Sequence, residues 1–347
     1  MGLFMNGFKR PRRVSDYYVP PFWGDGSDGI LTAGTTYQAG VDFDKYSGFC
    51  IKQFSEIDWD PATAETLTVD EPCRGLILLV NGDVNIGANA TISMAKKGSI
   101  LPCNPKELLY LYHESKQIGH IVDTLLTLKG GAGGDGGNGR NEGANSLGGT
   151  GGVGRTCQGG RGGGGGGGAT NTGGGNGGEV IYPEIPGYGG HSKPSNYVNS
   201  TTTPNGFNGG GGGHQHMRGG GGGYPFGAGG GGGSADWVEG GDYTGWDGYD
   251  GEHSGGFILI IASGSITITG TLDVTGGDGG NDGAYNLSSI SYTGGGGGGG
   301  GGGVIALYAK GYIDTSSAVK TLTGGAGGSG YQSGTSGGTG TYYEERI

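Results

Sequence analysis

Residues 294–303 are ten consecutive glycines that run straight into the apolar segment "VIALYAK" at 304–310. No other feature narrows the possible folds of this chain as much. Glycine loses more backbone freedom on folding than any other residue, and ten in a row offer no side chain to bury. Such a stretch is either disordered or packed by its backbone alone. The glycines are unevenly placed: 13 of the 94 precede residue 130 and 81 lie from 130 onward. With 15% charged and 32% apolar residues, the part after residue 130 has little material for a conventional core.

Two regularities argue against disorder. The first is a repeat. "GLILLVNGDVNI" at 75–86, "FILIIASGSITI" at 257–268 and "VIALYAKGYIDT" at 304–315 each hold an apolar run, a glycine (Gly82, Gly264, Gly311) and a second strand-like segment. Their exits match as well: "TLKGGAGG" at 127–134, "LDVTGGDGG" at 272–280 and "TLTGGAGG" at 321–328. The second regularity is phase. "GGAGGDGGNGRN" at 130–141 puts Ala132, Asp135, Asn138 and Asn141 at every third place, and "GGTGGVGRT" at 148–156 does the same with Thr150, Val153 and Thr156. A period of three fits a polyproline-II-type helix, with ~3 residues per turn and ~3.1 Å rise. A GGX repeat leaves two of its three faces bare, so neighbouring backbones can approach and hydrogen-bond, which this helix cannot do internally. The all-glycine run, bare on every face, is expected at the centre of such a bundle.

The expected fold class is therefore mostly β plus polyglycine-II. Residues 1–35 read as a basic-aromatic docking arm and 36–129 as a β domain. Residues 130–347 read as a polyglycine-II bundle clamped by β segments at 256–275 and 304–323, with exposed loops. Within the β domain, Val84, Ile86, Ala88, Ala90, Ile92 and Met94 fall on one face of a single period-two strand. "PKELLYLYHESKQ" at 105–117 reads as a short helix, and 121–128 as a strand.

Glycine runs joined by aromatic and polar loops resemble the distal tail-fibre adhesins of T-even-type bacteriophages. The likeness covers roughly 130–347 and rests on architecture and composition. The β region after "WGDGSDG" departs from that family's attachment domain and looks more like glycine-rich proteins among other phage virion components. The resemblance implies a virion protein, made in the host cytoplasm, whose bundle presents loops to a bacterial outer-membrane protein or surface glycan. Its N-terminal part would contact other phage structural proteins of fibre, tail or capsid. A purely structural decoration is the alternative, and an ice-binding protein a third reading.

If the passes run up and down from one base, the far end holds 142–147, 169–172, 214–218, 234–254 and 281–293. That set supplies the candidate receptor-binding residues His214, His216, Trp237, Tyr243, Trp246, Tyr249, Tyr285 and Tyr292. Aromatic side chains in exposed loops bring large contact area with few torsions.

Other chemistry finds little footing. The net charge of −11 disfavours nucleic-acid binding, which calls for a basic face. The basic start lacks a long apolar stretch behind it, so neither a secretory signal nor a membrane span is expected. Cys50, Cys73, Cys103 and Cys157 lack CxxC spacing and read as reduced thiols. GxGxxG matches carry no information in such a composition, and neither a Walker loop nor HExxH is present. His214 and His216 lack an evident third ligand, so no metal or other cofactor is expected. Asp242, Asp247, Asp250 and Glu252 could form a carboxylate pair, but glycine-rich loops hold catalytic geometry poorly; no enzyme activity is expected.

Overall fold

Runs such as "LILLV" and "FILIIA" lack the alternation of a half-exposed strand. Strands of that kind belong in parallel sheets covered on both faces; the described residues of the computed structural model form three five-stranded parallel sheets, and the one built from these runs is buried on both faces. The residues it describes are 23–45, 48–98, 121, 123–125, 127–137, 251–281, 296–330 and 332–347, with the backbone of 234–235, 245–246, 285–287 and 290–292.

The chain begins with β1 (Ile30–Leu31) and β2 (Thr36–Tyr37), then makes a turn of β3 (Cys50–Phe54), β4 (Glu56–Trp59) and β5 (Glu65–Val69). A further turn follows with β6 (Leu76–Val80), β7 (Val84–Ile86) and β8 (Ala90–Ser93). After the hairpin β9 (Ser234–Ala235) and β10 (Gly245–Trp246), the winding resumes as β11 (Phe257–Ala262), β12 (Ile266–Ile268) and β13 (Thr271–Asp273). A second hairpin, β14 (Tyr285–Leu287) and β15 (Ile290–Tyr292), precedes β16 (Val304–Ala309), β17 (Ile313–Asp314) and β18 (Val319–Thr321). The last strand is β19 (Thr341–Arg346).

Each full turn contributes one strand to each sheet. Sheet 1 runs β3-β6-β11-β16-β19, sheet 2 runs β1-β4-β7-β12-β17 and sheet 3 runs β2-β5-β8-β13-β18. Every neighbour within these sheets is parallel. The result is a three-sided β-solenoid. The three repeats stack in register, Leu76 on Ile258 on Ile305 and Val84 on Ile266 on Ile313. Strands on either side of residue 130 therefore share the same sheets. One core cluster joins inward residues of all three, among them Leu78, Ile260, Ile86, Ile268, Ile92 and Leu272. A second cluster lies on the outer face of sheet 1, where Leu259, Ile261, Ala306 and Tyr308 meet Ile121, Leu125 and Leu128.

The repeated glycine of the motif sits at the corner between sheets 1 and 2. A Cβ on Gly82 would overlap the carbonyl oxygen of Ser55, and one on Gly264 that of Gly82. The turns of successive coils are stacked too closely for any side chain there.

Two local expectations are corrected. Residues 84–94 do not form one strand: Gly87–Asn89 turns a corner between β7 and β8, and Ala88 is exposed while Val84, Ile86, Ala90, Ile92 and Met94 are buried. Period-two phase survives the corner, which is why the alternation looked continuous. Ile121 and residues 123–125 are helical, not strand. Ile121, Leu125 and Leu128 recur at helical spacing and cover sheet 1. The helix expected at 105–117 lies outside the described residues.

Both ends of the solenoid are closed with polar groups turned toward the core row. At the first end, Lys52 occupies an inward position of β3, with its Nζ 2.6 Å from Asp42 Oδ1 and 4.6 Å from the centre of the Tyr37 ring. Phe43 is buried over the same end. At the last, β19 continues the inward row Ile305–Leu307–Ala309 with Tyr342, Glu344 and Arg346. There Thr315 Oγ1 donates to Glu344 Oε2 at 2.9 Å, and Lys320 Nζ donates to Thr315 O at 2.8 Å beneath the Tyr342 ring. Inward charges on terminal strands blunt edge-to-edge stacking.

Candidate functional site

The corner between sheets 3 and 1 distinguishes the coils. Between β5 and β6 it takes only residues 70–75, whereas after β8, β13 and β18 the chain leaves for 94–256, 274–303 and 322–340. The glycine segments are those excursions. Segments 131–137, 276–281 and 324–330 run outward from the solenoid, while 296–303 and 332–340 return to it.

The returning run 296–303 is buried at every residue and is bonded by its neighbours in steps of three. Gly131, Gly134 and Gly137 donate to the carbonyls of Gly302, Gly299 and Gly296 at 2.7, 2.8 and 2.7 Å. Gly296, Gly299 and Gly302 donate in turn to Gln332, Thr335 and Gly338 at 3.0, 2.9 and 2.9 Å. On another face, Gly297, Gly300 and Gly303 donate to Gly280, Gly277 and Val274, while Gly325 and Gly328 donate to Gly300 and Gly297. On the third face, Gly255 donates to Gly301 at 3.0 Å.

The outer segments show the triplet in their exposure. Gly131, Gly134 and Gly137 are buried while Ala132 and Asp135 are exposed. Gly276, Gly277, Gly279 and Gly280 are buried while Asp278 and Asn281 are exposed. A Cβ on Gly131, Gly134, Gly299 or Gly302 would lie within 3.0 Å of a neighbouring carbonyl oxygen. The space a side chain needs is already occupied by another backbone.

Where the excursions rejoin the solenoid, polar groups tie the two parts together. Lys96 Nζ lies 2.5 Å from a Glu252 carboxylate oxygen, and that oxygen accepts the Asp278 N–H at 3.0 Å. These contacts hold the Glu252 carboxyl below the usual carboxylate range against the opposing effect of its partial burial. Beside it, burial, with Lys97 and Lys45 as neighbouring cations, pushes His253 down to about 4, and Glu71 and Glu252 oppose that shift only in part. Residues 252–254 thus lie at the root of the bundle. This corrects the expected far-end loop 234–254, whose last residues pack against 277–278 and strand β8's exit.

Of the candidate recognition residues, Tyr285 and Tyr292 are direct partners across the antiparallel hairpin β14–β15. That hairpin lies in the link between the outer ends of 276–281 and 296–303. Trp246 pairs with Ser234 across β9–β10. His214, His216, Trp237, Tyr243 and Tyr249 lie outside the described residues, as do Asp242, Asp247, Asp250, Cys103 and Cys157. Cys50 and Cys73 are free and buried in the solenoid, and burial raises their thiols to about 12 and about 11. Sequence reasoning missed the sharing of sheets across the chain, although the three repeats held the signal. No protein-family model, curated protein or solved structure matches the chain.

Proposed function

We propose that the glycine segments are polyglycine-II helices and that the chain is a phage virion protein, a tail-fibre or tail-tip adhesin without enzymatic activity. The solenoid is the mount, the glycine bundle a stiff projection, and the links between passes contact a bacterial surface receptor, an outer-membrane protein or a glycan. One observation carries this reading: the described glycine segments all start or end at a single corner of the solenoid and are bonded to their neighbours in steps of three residues. Such a bundle has little use as a core. Its use lies in holding the segments at its outer ends, where the link carrying the cross-strand pair Tyr285 and Tyr292 joins 276–281 to 296–303.

Replacing 285–292 and 234–250 by the matching segments of a phage with another host range tests the proposal. Adsorption is expected to be lost or redirected while particle yield stays normal. Unchanged adsorption on normal particles would sink the adhesin reading and leave a structural projection.

A further inference from the structure

The three outer faces of the solenoid differ in chemistry. On sheet 1 the outward side chains of β11 and β16 are apolar and pack against Ile121, Leu125 and Leu128. Sheet 2 is acidic: Glu56 and Asp58 of β4 and Asp314 of β17 are exposed, as is Asp83 just before β7. Sheet 3 is neither. Its inward positions hold Leu67, Ile92 and Leu272, and the residues between them face outward. In register, Thr66, Thr91, Thr271 and Val319 form one outward row across β5, β8, β13 and β18. Two residues further along each strand, Thr68, Ser93, Asp273 and Thr321 form a second row, which Thr36 of β2 extends. Every residue of the two rows is half-buried or exposed.

The rows differ in what their side chains already do. In the second, Thr68 Oγ1 donates to Ser93 O at 2.8 Å, Ser93 Oγ accepts the Ala95 N–H at 3.2 Å, and Asp273 Oδ1 accepts the Thr275 hydroxyl at 2.6 Å. In the first, the hydroxyls of Thr66, Thr91 and Thr271 have no hydrogen-bond partner among the described residues. They stand one per strand, about 4.8 Å apart. Each offers a donor and an acceptor with a methyl group beside them.

Charge and shape narrow what such a surface can take. Neither row contains a cation, so a phosphate-bearing polymer finds no counter-charge. Neither contains an aromatic residue or an arginine, the usual anchors of protein interfaces. The one carboxylate, Asp273, is tied to Thr275. The face is complementary to an uncharged polymer that itself mixes hydroxyl and C–H groups and repeats about once per strand. An extended chain of neutral sugars has both properties. We infer that the outer face of sheet 3 binds a neutral polysaccharide laid across the strands, with Thr66, Thr91 and Thr271 hydrogen-bonded to successive sugars. This surface lies on the solenoid rather than at the outer ends of the bundle, and it does not depend on the adhesin reading.

Calorimetric titration of the full-length chain with cellohexaose, xylohexaose and mannohexaose, and with the matching disaccharides, tests this. At least one hexasaccharide is expected to bind, at least tenfold more tightly than its disaccharide. The variant T66V/T91V/T271V removes three hydroxyls at nearly constant shape and keeps β-branched residues in the strands. It is expected to lose at least tenfold in affinity while melting as the wild type does. If the triple variant does not fold, Thr91→Val alone is expected to lose at least threefold. Absence of binding by all three hexasaccharides overturns the inference, and so does wild-type affinity in the variant that folds. Equal affinity for hexasaccharide and disaccharide overturns the contact along the row. Thermal hysteresis that the variant loses, without any saccharide binding, assigns the face to ordered water and overturns the polysaccharide.

Discussion

The solenoid and the glycine bundle solve one problem, satisfying backbone hydrogen bonds away from water, with opposite materials. In the solenoid the bonds lie in three parallel sheets, and side chains fill the space the sheets enclose, as Leu78, Ile260 and Leu307 do in one inward row. In the bundle the space between segments is filled by backbone, with Gly299 pressed against the carbonyl of Gly325 and Gly302 against that of Leu322. Glycine serves different purposes in the two. Gly24 and Gly26 of the solenoid adopt positive φ, which other residues rarely do, whereas the described glycines of the bundle all lack it. Those glycines are selected for their size rather than their conformational range. A solenoid can lose one methylene and leave a cavity; a glycine bundle cannot gain one.

The sharpest way to break that contrast is to add a side chain at the bundle centre. Gly299→Val would force 296–303 away from 324–328 and from the segments bonded on its other faces. The cost is expected to reach at least about 4 kcal/mol, the range reserved for overpacking with lost hydrogen bonds. Amide exchange should then show lost protection at Gly131, Gly134, Gly300 and Gly325 and retained protection in β6 and β11. Loss in both parts together would mean that the bundle and solenoid are one cooperative unit. Ile260→Ala in the solenoid removes side chain instead, from a fully buried position. It is expected to cost about 2–5 kcal/mol in thermal unfolding, with no change in the wild-type exchange pattern of the bundle relative to the solenoid.

How far each region was legible in the sequence follows from the same contrast. Bundle logic is local: the GGX triplet by itself says which positions face neighbours, and Ala132, Asp135, Asp278 and Asn281 are exposed as the triplet requires. The solenoid's strands were also legible, since "LILLV", "FILIIA" and "VIALYA" stand out as apolar runs. Their pairing was harder to see. Leu76 and Ile258 are neighbours in space although 94–256 separates their turns, and a repeat read along the chain does not say whether its copies clamp a bundle or stack on one another. The helical residues 123–125 were hard to tell from strand because the five apolar residues of "IVDTLLTL" at 121–128 fit neither period cleanly. Of the recognition candidates, Tyr285 and Tyr292 pair across a short hairpin, "YNLSSISY", whose three-residue strands are too short to show a clear period. The root position of Glu252 and His253 depends on Lys96, Lys97 and Asp278, which come from two other parts of the chain, and no local pattern announces it.

The joint between the regions can be loosened by acid. His253 titrates at about 4 in the folded chain and near 6.5 when unfolded, so between those values the unfolded state binds the extra proton. Stability is therefore full above pH ~6.5, falls as the pH drops from ~6.5 to ~4, and gains no further loss from this group below that. The loss amounts to up to about 3 kcal/mol. Denaturant unfolding at a series of pH values should show it, and His253→Gln should flatten the curve in that window. An unflattened curve would assign the acid sensitivity to other groups.

The smallest expected effect sharpens the comparison furthest, because it concerns adjacent residues of one segment. Ala132→Thr adds two heavy atoms at an exposed position whose backbone carbonyl accepts the Gly338 N–H at 2.6 Å. The added atoms point to solvent, and the change is expected to stay within about 0.5 kcal/mol. Gly131→Ala, one residue earlier, adds a single methyl, but aims it at the Gly338 carbonyl. It should destabilise several-fold more than the larger substitution beside it. Side-chain volume cannot produce that order, and neither can helix or strand propensity, since alanine is the better former of regular structure in most settings. Only a segment whose faces are assigned in threes, with one face closed by another backbone, yields a large penalty at 131 and almost none at 132. Equal melting temperatures for the two variants would dissolve the distinction between the bundle's faces.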